Sequence, residues 1–247
     1  MTSLRQLRKQ LRGQPFYQRA KRLARRLAGR ELWLRAEIRE PVRPAAGWLL
    51  CHQRLPRGAR VFGLGVGNNI DFELGLIQDY AAIVDTFDPT PFSNDWLGAL
   101  ALPAGFRHHP WAVVAEDGPI HLEQRKANRA GSAPMLSVVA SRTGGARAVV
   151  AGAVVAEGCR LTTIARRLGC PVPDLLRMDI EGAEYAVLDD MLASGFLPGQ
   201  VLVEFHHRFP EVGLDATRRA VAGLRAAGYR IAAVSDTGRE VTFLRAG

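Results

Sequence analysis

The sequence predicts an α/β protein built on a doubly wound, mostly parallel, seven-stranded sheet of the Rossmann-like kind, preceded by a helical N-terminal extension. Three observations lead there. From residue 59 onward, short β-branched or apolar runs alternate with helical segments. The first run ends in the glycine-rich turn "VFGLGVGNN". The net positive charge is confined to the chain ahead of that turn: residues 1–58 carry 15 Lys and Arg against 3 Asp and Glu, while the rest of the chain is slightly acidic in a total of +9. These divide the 247 residues into a basic extension, 1–58, and one α/β domain, 59–247.

The extension places Leu4, Leu7 and Leu11 at helical spacing, breaks near Gly13 and Pro15, and resumes with Leu23, Leu27 and Leu34 among arginines. Two basic amphipathic helices are expected. Such a segment suits an anionic membrane surface, reached through residues 1–40, or simple packing with leucines on the domain and arginines in water. Nucleic acid is the partner less expected. No apolar run follows the basic start as in a secretory signal, and no 18-residue apolar stretch offers a spanning helix. Cys51, Cys159 and Cys170 are odd in number, widely spaced and form no C-x-x-C pair, so neither a disulfide framework nor a cysteine zinc site is expected, and the cytoplasm is the expected compartment, with peripheral membrane contact allowed.

The expected strands are 59–64, 81–87, 109–114, 174–179, 200–206, 229–235 and 239–245, with helices over 70–80, 92–101, 160–168, 182–194 and 214–227. Only "DTG" separates the last two strands, so they pair as an antiparallel hairpin. The stretch 117–156 fits no βα repeat; "EDGPIHL" reads as a turn and strand, "RKANRAGSAP" as a polar loop and "ARAVVAGAVV" as another strand.

Ligands of open α/β sheets bind beyond the carboxyl ends of the strands, so residues at those ends carry the functional reading. Gly63, Gly65 and Gly67 let the first turn approach a ligand closely, and the next helix offers free N–H groups. Asn68 stands where a dinucleotide fingerprint has its third glycine, which disfavours an NAD-dependent oxidoreductase. Asp88 ends the second strand where such folds place a ribose-binding carboxylate, with Asp85 its competitor. "LLRMDIEGAEYAVLDDML" puts five carboxylates into residues 179–190. Glu181 and Glu184 fit the first turn of a helix, Asp189 and Asp190 a solvated face, and Asp179 ends an apolar strand where a carboxylate needs a partner. On the next strand Glu204 and His206 share a face, with Phe205 and His207 opposite. Asp179, Glu204 and His206 therefore converge at one edge, as a general-base group or as ligands of a divalent metal.

The stretch "DIEGAE" with its apolar helix resembles the hallmark of the FkbM-type methyltransferases, as do "FDPTP" after the second strand and "HPWAVVAEDGPIHL" around the third. The resemblance covers about 59–245 and implies a class I methyltransferase fold, S-adenosylmethionine as cofactor, and O-methylation of a sugar or other small-molecule hydroxyl. It implies that Gly63, Gly65 and Gly67, with Asn68 in the same turn, border the cofactor's methionine end, Asp88 its ribose, and Trp111, Ala112 and Val113 its adenine. In the first motif, Gly63 stands in place of the family's opening acid and Asn69 in place of its last glycine, with Asp71 and Glu73 the nearest substitutes. Asp179 and His206 are expected to take the acceptor's proton. The alternative is a non-catalytic nucleotide-fold protein recruited by its basic N-terminus.

Overall fold

A computed structural model describes residues 14–124, 136–139 and 154–246. The expected first helix with Leu4, Leu7 and Leu11, the "RKANRAGSAP" loop and most of "ARAVVAGAVV" lie outside the described residues. The chain runs through α1 (Pro15–Leu27), a small hairpin β1 (Arg43–Ala45) and β2 (Trp48–Leu50), then β3 (Arg60–Leu64), α2 (Asp71–Tyr80), β4 (Ile83–Phe87) and α3 (Pro91–Gly98). It continues with β5 (Phe106–His109), β6 (Trp111–Val113), β7 (Gly118–Gln124), β8 (Leu136–Val139), β9 (Val154–Cys159) and α4 (Leu161–Leu168). The last part holds β10 (Leu175–Met178), α5 (Glu184–Ala193), β11 (Gln200–Glu204), α6 (Gly213–Ala226), β12 (Tyr229–Val234) and β13 (Glu240–Arg245).

The main sheet has the order β12-β13-β11-β10-β3-β4-β5, with only β13 antiparallel to its neighbours. Its central strands are apolar on both faces because both are covered. Phe62, Leu64, Leu176, Met178, Val201 and Val203 face α4, α5 and α6. Val61, Leu175 and Leu202 face α2 together with Trp48, Leu50 and Leu55 of the N-terminal segment. Residues 48–55 thus share a core with the strands that follow. Gln200 Oε1 accepts from the Cys51 amide at 2.9 Å, and the Thr242 hydroxyl donates to the Leu49 carbonyl at 2.5 Å, which fixes that segment on the sheet.

The third strand differs from expectation. It occupies Phe106–His109, not 109–114, and pairs with β4. Pro110 has no N–H to donate and interrupts the ladder. Beyond it Trp111–Val113 joins a second sheet, β6-β9-β7-β8, by pairing with β9. The Gly118–Gln124 strand and the final hairpin form as the sequence predicts.

The N-terminal segment also differs. One helix forms in the described residues, beginning at Pro15, and Leu34 lies beyond it in extended chain. Its orientation is the reverse of leucines in and arginines out. Arg22 donates to the carbonyls of Ser235 and Leu34, and Arg26 to those of Leu32 and Leu34, while Leu23 and Leu27 face water.

The turn after β3 is set by two left-handed glycines, Gly65 at φ +82° and Gly67 at φ +58°. A Cβ on Gly65 would lie 1.9 Å from the Asp179 carbonyl oxygen, whereas one on Gly67 would meet nothing within 4 Å. Gly67→Ala should therefore cost the left-handed backbone alone, on the order of 1 kcal/mol. Gly65→Ala, which must also push β10 away from the turn, should lower the melting temperature several times further in scanning calorimetry.

Candidate active site

The carboxyl ends of β3, β4, β10 and β11 meet around Asp179, which lines two adjoining cavities. One, of about 80 Å³, is a mostly apolar slot between Gly65, Phe87, Asp88, Ala112, Val113 and Ile180. The other, of about 340 Å³, is bordered by Gly67, Asn68, Glu73, Arg177, Glu204 and Trp48. A larger depression of about 590 Å³ lies beside the second sheet at Asp117, Glu157 and Arg167, and contains none of the catalytic or cofactor-binding residues expected from the sequence.

Asp88 Oδ2 accepts from the amides of Val66 and Gly67 and from the Ser93 hydroxyl, and Oδ1 accepts from the amide and hydroxyl of Thr90. Five donors fill a carboxylate that has roughly four lone-pair sites. Asp88 therefore braces the glycine turn against the start of α3. Its competitor, Asp85, is buried and engaged with Arg107, Arg60 and His109, tying three strands together. Ala112 borders the small slot. Trp111 does not, and instead stacks on His109 at 4.8 Å beneath Arg167.

Gly63 lies on β3 below the turn, and its missing side chain has a tenant. The Glu73 carboxylate of α2 would sit 3.2 Å from a Cβ there. Glu73 is 2% exposed and lies 3.5 Å from Arg177, which also donates to the Gly65 carbonyl at 2.5 Å. Burial pushes the Glu73 carboxyl above its usual range, against the pull of Arg177. Arg177, in the middle of an apolar strand, escaped the sequence reading. Its one signal there was being the lone basic residue in "DLLRMD", among the apolar residues ahead of the terminal acid.

Helix α5 begins at Glu184 with Ala183 as its N-cap, so Glu181 precedes the helix instead of lying in its first turn. Glu181 adopts φ +55°, a left-handed conformation costly for a residue with a Cβ, followed by Gly182 at φ +102°. Glu184 is fully buried and holds this bend: it accepts from the amides of Ile180 and Gly182 at 3.0 and 2.9 Å, and pairs with His206 Nδ1 at 2.8 Å.

His206 Nε2 then faces Glu181 at 3.5 Å, Asp179 at 3.8 Å and Glu204 at 4.0 Å. Among the described residues, Asp179, Glu181 and His206 can present donor atoms to one metal ion, all within 4.8 Å of one another. Glu181 replaces the expected Glu204 in that set, because the Glu204 carboxylate is paired with Arg239. Burial would lower the His206 pKa, but the Glu184 hydrogen bond and the surrounding acids raise it to about 9. The imidazole is thus charged near neutrality, with a proton on each nitrogen, so general-base work by His206 would first need one of them removed. Burial, opposed by Arg177 and His206, raises the Asp179 pKa, and burial with the Asp179 charge raises that of Glu204 to about 7. The proton-accepting groups here are carboxylates. His207 turns away and pairs with Glu31 at 2.7 Å.

A sheet of order β12-β13-β11-β10-β3-β4-β5 with one antiparallel strand, and a site at its carboxyl edge, defines a Rossmann-like class I methyltransferase fold. Residues 64–231 match the methyltransferase FkbM domain, and the chain belongs to that family of methyltransferases. No curated protein gives a significant match. Among solved structures, the Methanococcus jannaschii fibrillarin pre-rRNA processing protein is similar at 11% identity and a TM-score of 0.46, over 84% of this chain and 72% of that one. Aeropyrum pernix fibrillarin with natively bound S-adenosyl-L-methionine is similar at 12% identity and a TM-score of 0.41, over 76% and 66%.

A histidine whose pKa is raised on folding adds stability that is full below its unfolded value, near 6.5, and is lost as pH rises through about 9. With chelator present, stability should therefore fall by on the order of 3 kcal/mol between those limits. Urea melts across pH read the fall, and Glu184→Gln should flatten it and move the His206 NMR titration downward.

Proposed function

We propose that the protein transfers a methyl group from S-adenosylmethionine to a hydroxyl of a small molecule or sugar. The observation that carries this reading is the placement of Asp179, a carboxylate with a raised pKa shared by an apolar slot and a polar cavity. The slot beside Gly65, Phe87, Ala112 and Ile180 suits a flat heteroaromatic group. Glu73 and Arg177, on the wall of the larger cavity, suit the ammonium and carboxylate of an amino-acid end. Asp88 serves through the turn it braces. When bound, this cofactor supplies an electrophilic methyl group on a sulfonium.

The chain's own residues orient the acceptor and remove its proton. Asp179 takes the hydroxyl proton, with Glu204 beside it as a second acceptor. Asp179, Glu181 and His206 would also hold a divalent cation, which stabilises an alkoxide. Its binding would displace the Nε2 proton of His206 and so strengthen as pH rises.

Two titrations and one assay test the reading. S-adenosylhomocysteine should bind in calorimetry, and absence of binding sinks the proposal. Asp179→Asn should keep that binding while methyl transfer from labelled cofactor to a panel of hydroxylated acceptors falls roughly 10²–10⁴-fold. Mn²⁺ followed by electron paramagnetic resonance should bind the protein and be released by Glu181→Gln. Unchanged binding in that variant removes the metal from the proposal and leaves methyl transfer standing.

A further inference from the structure

Helix α1 is amphipathic, and its apolar side is the exposed one. Phe16, Ala20, Leu23 and Leu27 recur at i, i+4, i+7 and i+11, a single stripe. Phe16 is 64% exposed, Leu23 49% and Leu27 75%, and Trp33 just beyond the helix is 62% exposed with Arg26 over its ring. The opposite side is anchored by Arg22 to the Ser235 carbonyl of the domain, and by Arg22 and Arg26 to the carbonyls of Leu32 and Leu34 in the segment that follows the helix. Arg19, Lys21, Arg30 and Arg35 are exposed around the stripe.

We propose that this face docks on an anionic lipid surface. Charge decides among the possible occupants. Residues 1–13 carry four basic residues and no acid, and a second copy would present the same basic rim, so both would be repelled by it. An anionic membrane complements the rim, and the leucine, phenylalanine and tryptophan side chains enter the boundary between headgroups and acyl chains. Nucleic acid would use the cations and leave the leucines without a role. The docked helix lies on the edge of the domain that bears the site. Arg19 and Arg22 hold it to the turn between β12 and β13, and Glu31, just after it, pairs with His207 beside His206. A bound molecule would thus turn its carboxyl edge toward the membrane.

The test is co-sedimentation of the full chain with phosphatidylcholine vesicles, with and without about one third phosphatidylglycerol. Binding is expected only to the anionic vesicles and should weaken with added salt. Leu23→Ser and Leu27→Ser should each weaken it by about tenfold. Lys21→Glu should weaken it at low salt, and the emission of Trp33 should shift to the blue, a shift missing in Trp33→Phe. Equal binding to neutral vesicles, or leucine variants that bind as tightly as the wild type, overturns the proposal. So does a fall in melting temperature on the leucine substitutions, which would mean that the chain itself covers the stripe. A dimer dispersed by those substitutions, or capture of an RNA duplex that they leave unchanged in the absence of vesicle binding, overturns it as well.

Discussion

The Glu184 carboxylate is fully buried, a position that a charge tolerates only when donors converge on it. Two come from the bend it supports, the amides of Ile180 and Gly182, and the third partner is the His206 ring. One side chain thus fixes both the path of the chain after β10 and the aim of the imidazole after β11. The left-handed conformation of Glu181 follows, because the bend has to reverse between Asp179 and the start of α5. An orienting carboxylate on Nδ1 also leaves Nε2 directed at Asp179 and Glu181, the arrangement in which a histidine serves as a metal ligand.

A second displacement of charge explains how the first motif departs from its family without emptying the space beside the turn. A side chain at residue 63 and the Glu73 carboxylate compete for one volume. Glycine on the strand is therefore what admits an acid from the helix. Arg177 makes that substitution tolerable by standing between Glu73 and Asp179, 3.5 and 3.7 Å away, while it holds the Gly65 carbonyl. Its guanidinium lies over the Trp48 ring, so the N-terminal hairpin is also part of the support for the site.

What the sequence made legible is what periodicity and strand ends control. Six of the seven main strands, the glycine turn, the final hairpin and the convergence of Asp179 with His206 depend on local pattern and on the rule that parallel strands end together. The third strand failed because the apolar run that marks a strand, residues 111–114, begins only after Pro110, while the residues that pair with β4, Phe106–His109, are mostly polar. Glu184 stands in the first turn of α5 as the spacing predicts, but Glu181 lies ahead of it, and the burial of Glu184 and its bond to His206 were not foreseen. Nothing local reveals that one acid is fully buried and the other lies ahead of the helix. The charge on His206 depends on Glu184, Glu181 and Asp179, which only the assembled edge brings to the end of the neighbouring strand.

The orientation of α1 shows how a periodicity argument can find the right helix and assign the wrong face. Burying Leu23 and Leu27 would be worth about 1.5–3 kcal/mol each. Against that stand four hydrogen bonds from Arg22 and Arg26 to carbonyls, each worth about 1.5–3 kcal/mol when the donor is charged. The three acids of the first 58 residues add to the same side. Glu31 holds His207 and Arg208, Glu37 accepts from the Ile231 amide and Arg225, and Glu40 pairs with Arg54. All three are spent within the fold, Glu31 and Glu37 tying the segment to the domain and Glu40 bracing it internally. A basic segment with few acids, two of them anchors to the domain, docks by its charges and leaves its apolar stripe outside.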